Sequence, residues 1–185
     1  MQYNVIGLMS GSSLDGLDMA FVHFEENAGQ WTFEILETYC KPYPLHWKEK
    51  LTGKNLKVIV DLPSETSVVR ADGTRLEEAL HNLLDNAVKF SPDNGQICLR
   101  GTRCGSSVVL SVTDNGIGIS KEHLPRIFER FYRADKARSR ELGGTGLGLA
   151  IVKHIAQLHG GRVEAESELG HGITIRIVLP QVPPG

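Results

Sequence analysis

No run of about 18 consecutive apolar residues occurs in the 185-residue chain, so no segment reads as a membrane-spanning helix. The opening residues lack a basic stretch followed by a long apolar core, and we expect no secretory signal. Cysteine is scarce: Cys40, Cys98 and Cys104 are the three, with no CxxC pair. Cys98 and Cys104 lie on what reads as one strand, roughly 20 Å apart at about 3.3 Å per residue, which is too far for a bridge. We therefore expect free thiols in a reducing compartment, the cytoplasm by default, rather than metal ligands. An excess of one charge is also missing. With 20 Lys and Arg against 22 Asp and Glu the net charge is −2, which argues against a dedicated nucleic-acid binder. Neither an internal repeat nor a low-complexity tract is present. The length fits one ordinary domain, or one domain with an appendage.

What is there divides unevenly. Residues 1–51 hold eight of the twelve aromatics and carry three Lys/Arg against seven Asp/Glu; residues 52–185 hold four aromatics and carry 17 against 15. A shift this abrupt places a junction near Leu51 to Lys54, and hence domains at 1–51 and 52–185. The first part reads as strands Tyr3–Leu8, Leu17–Phe24 and Trp31–Tyr39. Turns at SGSSLDG (10–16) and Asn27-Ala28-Gly29 separate them, giving a three-stranded β-meander. Pro42 and Pro44 stop it, and Leu45–Leu51 can start a helix. Three strands alone bury little, so this part is expected to dock on something or to pair with a second copy through an edge strand, making a homodimer.

In the second part Lys57–Leu62 is strand-like. Asp72 can cap a helix from Gly73 to Phe90, with Leu76, Ala79, Leu80, Leu83, Leu84, Ala87 and Val88 at helical spacing. Gln96–Arg103 and Ser107–Thr113 form a hairpin across Cys104-Gly105-Ser106. Ser120 starts a short helix interrupted at Pro125. Gly148–Leu158 reads as another helix, stopped by Gly160-Gly161. Arg162–Ser167 and Gly172–Leu179 make a final hairpin. The expected class is α+β: a mixed, mostly antiparallel sheet with helices on one face, preceded by the meander.

Three features of this part bear on chemistry. Asn82, Asn86 and Lys89 share a helix face about opposite the centre of the apolar stripe, with Glu78 one turn earlier. Two amides and an ammonium suit a hydrated divalent cation and phosphate oxygens, although a solvated polar face would look the same. DNGIGI (114–119) follows a strand: Asp114 is an acceptor at its end, and Gly116 and Gly118 let backbone approach a flat ligand. By itself that pattern also suits a turn or a calcium-like loop. GGTGLGLA (143–150) is a glycine loop running into a helix. Its N–H groups at Gly144, Gly146 and Gly148 make an anion site. No Gly-Lys-Ser/Thr follows, so it is not a Walker motif, and no strand leads into it as a dinucleotide fingerprint requires.

Order and spacing join these features. HNLLDNAVKFS (81–91), DNGIGI, IFERFYR (127–133) and GGTGLGLAIVKHIA (143–156) resemble the N box, first glycine box, F box and second glycine box of sensor histidine kinases. The resemblance is to their ATP-binding catalytic domain, within the gyrase-type ATPase superfamily, and it covers about 54–180. It implies a two-layer α/β sandwich that binds ATP and Mg²⁺. Asn86 would coordinate Mg²⁺, Lys89 would reach a phosphate, and Phe90 would stand beside the adenine, whose amine Asp114 would bind. Gly116, Gly118, Gly144, Thr145, Gly146, Leu147 and Gly148 would shape the pocket and phosphate site, under a mobile lid at 134–145. Arg133 and Arg138 would point to the phosphates, and Thr174 would sit near the adenine. Superfamily hydrolases carry a glutamate general base where this chain has Asn82; an amide takes no proton from water, so hydrolysis should be slow.

The resemblance also implies partners: a dimerisation domain bearing the phosphoacceptor histidine, and downstream a response regulator. No His-Glu/Asp-Leu/Ile-Arg-x-Pro context occurs here, and neither His81 nor His154 is expected to accept phosphate. A cytoplasmic module with no membrane contact of its own is the expectation, even where its parent kinase is membrane-anchored. IGLMSGSSLDGLDMAFVHF (6–24), in turn, resembles the N-terminus of anhydro-N-acetylmuramic acid kinase, with MSGSSLDG (9–16) as its phosphate loop. Only the opening strands of that family are present, so no sugar kinase activity is expected. Two unrelated ATPase pieces in one chain point to a chimera. The alternative to a kinase catalytic domain is then a non-catalytic scaffold that binds nucleotide without turnover.

Overall fold

A computed structural model of the chain describes residues 2–10, 16–27, 30–42, 53–62, 69, 71–135 and 145–181. They fall into two compact units, within Met1–Glu49 and Lys50–Val182. The first is an antiparallel sheet of β1 (Gln2–Ser10), β2 (Gly16–Asn27) and β3 (Gln30–Pro42), in the order β1-β2-β3. Its register pairs Ile6 with Phe21 and Phe24 with Phe33, and shifts between Phe21 and Val22. The strands outrun the apolar cores read from the sequence because the backbone ladder continues through polar flanks such as Glu25–Asn27 and Lys41. The helix expected at Leu45–Leu51 lies outside the described residues.

The second unit is built on five strands: β4 (Lys57–Asp61), β5 (Gln96–Cys104), β6 (Ser107–Asp114), β7 (Arg162–Glu168) and β8 (Gly172–Pro180). They are ordered β4-β5-β6-β8-β7, with β4 parallel to β5 and the remaining pairs antiparallel. Alternation along the ladder gives the sheet two unlike faces. Ile97, Leu99, Val112, Ile175, Ile177 and Leu179 are buried on one. The other carries Arg100, Ser111, Thr113, Thr174 and Arg176, where the Thr113 and Thr174 hydroxyls meet at 2.9 Å and Arg176 pairs with Glu166 at 2.9 Å. This is the expected α+β layering.

Helix α1 (Gly73–Phe90) and helix α2 (Gly148–Leu158) pack on each other and against β6, β7 and β8. Ala79, Leu80, Leu83, Ala87 and Val88 form the buried stripe of α1, and Val152, Ile155 and Ala156 that of α2. Both α1 limits match the sequence reading. Asp72 sits in extended geometry and its carboxylate accepts from Arg75 N–H at 3.1 Å. At the other end the Lys54 ammonium donates to the carbonyls of Val88, Lys89 and Ser91 at 3.3, 3.2 and 2.7 Å. A cation there answers unpaired carbonyls and the negative end of the helix dipole.

The helix expected from Ser120 is instead a turn with one short 3-10 segment, Leu124–Arg126. Pro125 lies in its first positions, where a missing N–H costs nothing, so it begins the segment rather than interrupting it. Cys98 and Cys104 are free, as expected. Among the described residues no helix is long and apolar enough to cross a membrane. Replacing Asp72→Ala should cost the second unit about 1 kcal/mol, read as a lower urea midpoint at unchanged slope. The bond from Asp72 N–H to His159 Nε2 survives that change.

Candidate functional site

A cavity of about 540 Å³ opens between α1, the ends of β6 and β8, the start of α2 and the segments on either side of the 3-10 turn. Its size suits a nucleotide-sized ligand. Asp114 lies in its wall because the sheet alternation that buries Val112 also turns residue 114 to the helix side. Its side chain is 5% exposed. Burial pushes the carboxyl up from 3.8 to about 6, against the pull of N–H donors at Gly116 and Ile173. The Gly116 bond is 2.8 Å. A partly satisfied acceptor among Val112, Ile173 and Ile175 suits an exocyclic amine on a flat apolar ring.

Asn82, Asn86, Lys89 and Phe90 line the same cavity. They are half-buried at the border of the apolar stripe, not on a solvated face opposite its centre. Leu83 and Ala87 of the buried stripe line the cavity beside them. Asn82 donates to Glu78 C=O at 2.8 Å, and its amide oxygen lies where a side chain at Gly148 would touch it at 2.9 Å. Glycine at 148 thus lets the first turn of α2 meet α1 at the polar end of the cavity. Lys89 forms an ion pair with Asp85, and both line the cavity.

Thr145, Gly146, Gly148 and Leu149 bring the glycine loop and the first turn of α2 to the wall. Among the described residues no side chain caps that helix from Leu147, whose own N–H is met by Thr145 Oγ1 at 3.3 Å. Its first N–H groups therefore favour an anion. Gly146 adopts φ +74° and its C=O accepts from Phe131 N–H at 2.8 Å. Arg133 lines the cavity on the following segment. Gly144 and Arg138, with most of the expected lid, lie outside the described residues.

Gly116 and Leu147 do not themselves line the cavity, but Gly116 N–H holds the Asp114 carboxylate in its wall and a side chain there would strike the Phe90 carbonyl. Thr174 faces away: β8 pairs Ile173 with Asp114, so Ile173 and Ile175 share its face and Thr174 takes the other, bonded to Thr113. The sequence reading also missed a whole wall. The β7–β8 turn brings Leu169 over Ile117, held by Gly170 N–H to Ile117 C=O at 2.7 Å and by Ser167, which accepts from Ile119 N–H at 2.8 Å and donates to Gly172 C=O at 2.6 Å. Gly118 at φ +64° makes this possible, since any side chain there would strike the Glu168 carbonyl. His123 and Tyr132, joined at 2.6 Å, complete the far wall. Only the glycines hinted at these contacts.

The polar end fits a hydrated Mg²⁺ carrying phosphates. Such an ion keeps several waters and takes one or two protein oxygens, which the amide oxygen of Asn86 on the cavity wall can supply. Among the described residues no three His, Cys, Asp or Glu side chains gather as a metal site. Any cation here would depend on oxygens brought by its ligand.

Comparison with known proteins gives two family matches. The pattern of the histidine kinase-, DNA gyrase B-, and HSP90-like ATPase family matches residues 71–183, and that of anhydro-N-acetylmuramic acid kinase matches residues 3–108. The overlap, 71–108, folds as α1, β5 and the start of β6 in the second unit. The sensor-like histidine kinase SenX3 of Mycobacterium bovis is 46% identical over 135 residues, 72% of this chain and 33% of that protein. Sensor histidine kinase WalK of Bacillus subtilis is 42% identical over 71% of this chain and 22% of its own length. The chain thus spans a third or less of these relatives. Among solved structures, the mycobacterial sensor histidine kinase MprB superposes with a TM-score of 0.63 at 33% identity, covering 74% of this chain and 91% of that one. Full-length ShkA in complex with AMPPNP gives 0.64 at 31% identity, covering 74% of this chain and 28% of that one.

Asp114 also sets a pH dependence. A carboxyl raised to about 6 when folded binds its proton more tightly than in the unfolded chain. Stability is therefore greatest below the unfolded value and falls as pH rises through about 6, by roughly 3 kcal/mol in all. Urea midpoints taken from pH 4 to pH 7 should fall in the native protein and stay flatter in Asp114→Asn.

Proposed function

The chain belongs to the histidine kinase-, DNA gyrase B-, and HSP90-like ATPase family through residues 71–183 and to the anhydro-N-acetylmuramic acid kinase family through residues 3–108, and we propose that its second domain is the Mg-ATP-binding catalytic domain of a two-component sensor histidine kinase. That domain, which we bound at 52–185, would donate the γ-phosphate to a histidine on a separate dimerisation domain, for relay to a response regulator in the cytoplasm. One observation carries the reading. A single cavity has a buried carboxylate at its apolar end, and half-buried amides, an ammonium and an uncapped helix start at its polar end. ShkA, a structural relative, holds the ATP analogue AMPPNP.

Asp114 takes the adenine amine, with Val112, Ile173 and Ile175 against the ring. Asn86 holds Mg²⁺ through its amide oxygen, while Lys89 and Arg133 meet phosphate oxygens beside the N–H groups of Gly146 and Gly148. Bound Mg²⁺ supplies charge neutralisation on the phosphates. Asn82 offers no base for water, and its amide is already committed to the Glu78 carbonyl. The γ-phosphate is thereby spared until a histidine arrives. The first domain, bounded at 1–51, has the strands of a sugar kinase's start and is given no sugar kinase activity in this reading.

Calorimetric titration with Mg²⁺ and either ADP or a non-hydrolysable ATP analogue should show micromolar-range binding, on the order of −8 kcal/mol. Asp114→Asn should abolish it, and ATP turnover by the protein alone should be slow. Adding a dimerisation domain with its histidine should yield phosphohistidine. Binding without transfer to any such domain would instead favour the non-catalytic scaffold.

A further inference from the structure

The segment from Glu129 to Asp135 passes from the 3-10 turn into the cavity wall, where Tyr132, Arg133, Ala134 and Asp135 all face the ligand space. Its backbone is unusual at one point. Phe131 has φ +63°, the left-handed region that an aromatic residue seldom enters. Such a conformation persists only where the surroundings over-determine it. Burial of the Phe131 ring is not the cause, since the residue is 71% exposed.

Two tethers on either side account for it. Phe131 N–H donates to Gly146 C=O at 2.8 Å, tying the segment to the glycine loop. The Tyr132 hydroxyl meets His123 Nδ1 at 2.6 Å, tying it to the turn before the 3-10 segment. Arg126 lies over the Tyr132 ring, 4.4 Å from its centre, and is itself held by Glu129 at 3.0 Å. Arg133 is the next residue along.

We propose that His123 is a positioning residue: through Tyr132 it fixes the backbone that presents Arg133 to the phosphates of the bound nucleotide. The inference rests on the ATP-binding reading above. Glu122 lies 3.8 Å from Nε2, the other ring nitrogen of His123.

The test uses the full chain and three ligands: adenosine, ADP and a non-hydrolysable ATP analogue, the last two with Mg²⁺. Tyr132→Phe keeps the ring and the Arg126 stacking but loses the hydroxyl; His123→Ala loses the partner. Each should weaken the ATP analogue by about 5- to 10-fold, the worth of one hydrogen bond, and leave adenosine within about twofold. The double variant should be no weaker than either single one, and His123→Gln, which keeps an acceptor, should recover most of the affinity. Arg133→Ala should give the same phosphate-selective loss and add nothing in the Tyr132→Phe background. Unchanged affinity for the analogue, or an equal loss for adenosine, overturns the proposal. Failure of the unaltered protein to bind any of the three ligands would overturn the ATP-binding reading itself, a separate result.

Discussion

A carboxylate held in an apolar wall is the constraint from which the rest of the site follows. Asp114 lies on the helix-covered face of the sheet, where an ionised group loses most of its hydration. It stays there because β6 ends at that residue, so that the turn beyond can aim Gly116 N–H back at the carboxylate while β8 offers Ile173 N–H from the side. Two backbone donors leave the group short of full satisfaction. A ligand that adds a third donor would gain the difference, which is what the proposed contact with an adenine amine relies on.

The same need explains the glycines around it. A chain that folds back beneath Asp114 must run close to its neighbours, and Gly118 and Gly172 are where the first glycine loop meets the β7–β8 turn backbone to backbone. Ser167 bridges the two. At the far end Gly148 plays a parallel part by admitting the Asn82 amide beside the first turn of α2. In each case glycine is required by a close approach, to backbone at Gly118 and Gly172 and to the Asn82 side chain at Gly148. On helix α1, Leu83 and Ala87 of the buried stripe line the cavity together with the amide and ammonium positions beside them.

Much of this was legible in the residues. The α1 limits followed from Asp72 and the helical spacing of its apolar positions, and the hairpins from alternation bounded by turn residues. The N box, glycine boxes and F box hold most of the residues that line the cavity. What failed was finer. Pro125 reads as an interruption in the sequence pattern, yet it opens the 3-10 segment because proline is suited to a first turn. Thr174, expected near the adenine through the family resemblance, lies on the opposite face from Ile173 and Ile175. Side chains alternate along a strand, and the run Ile173-Thr174-Ile175-Arg176-Ile177 sets Thr174 and Arg176 together on the face away from the helices.

Local chemistry displayed most of the helices and strands and the compositional divide between the two parts, while the order and spacing of the boxes, through the family resemblance, marked the residues expected to meet nucleotide. The local signals depend on neighbours within a few positions, which the chain displays directly. Only the tertiary structure decided that the β7–β8 turn roofs the cavity, that His123 reaches Tyr132, and that Asn82 and Gly148 meet. Each joins residues far apart along the chain or across a turn of irregular geometry. Their meeting depends on sheet register and helix packing, which are properties of the assembled layers rather than of any one segment.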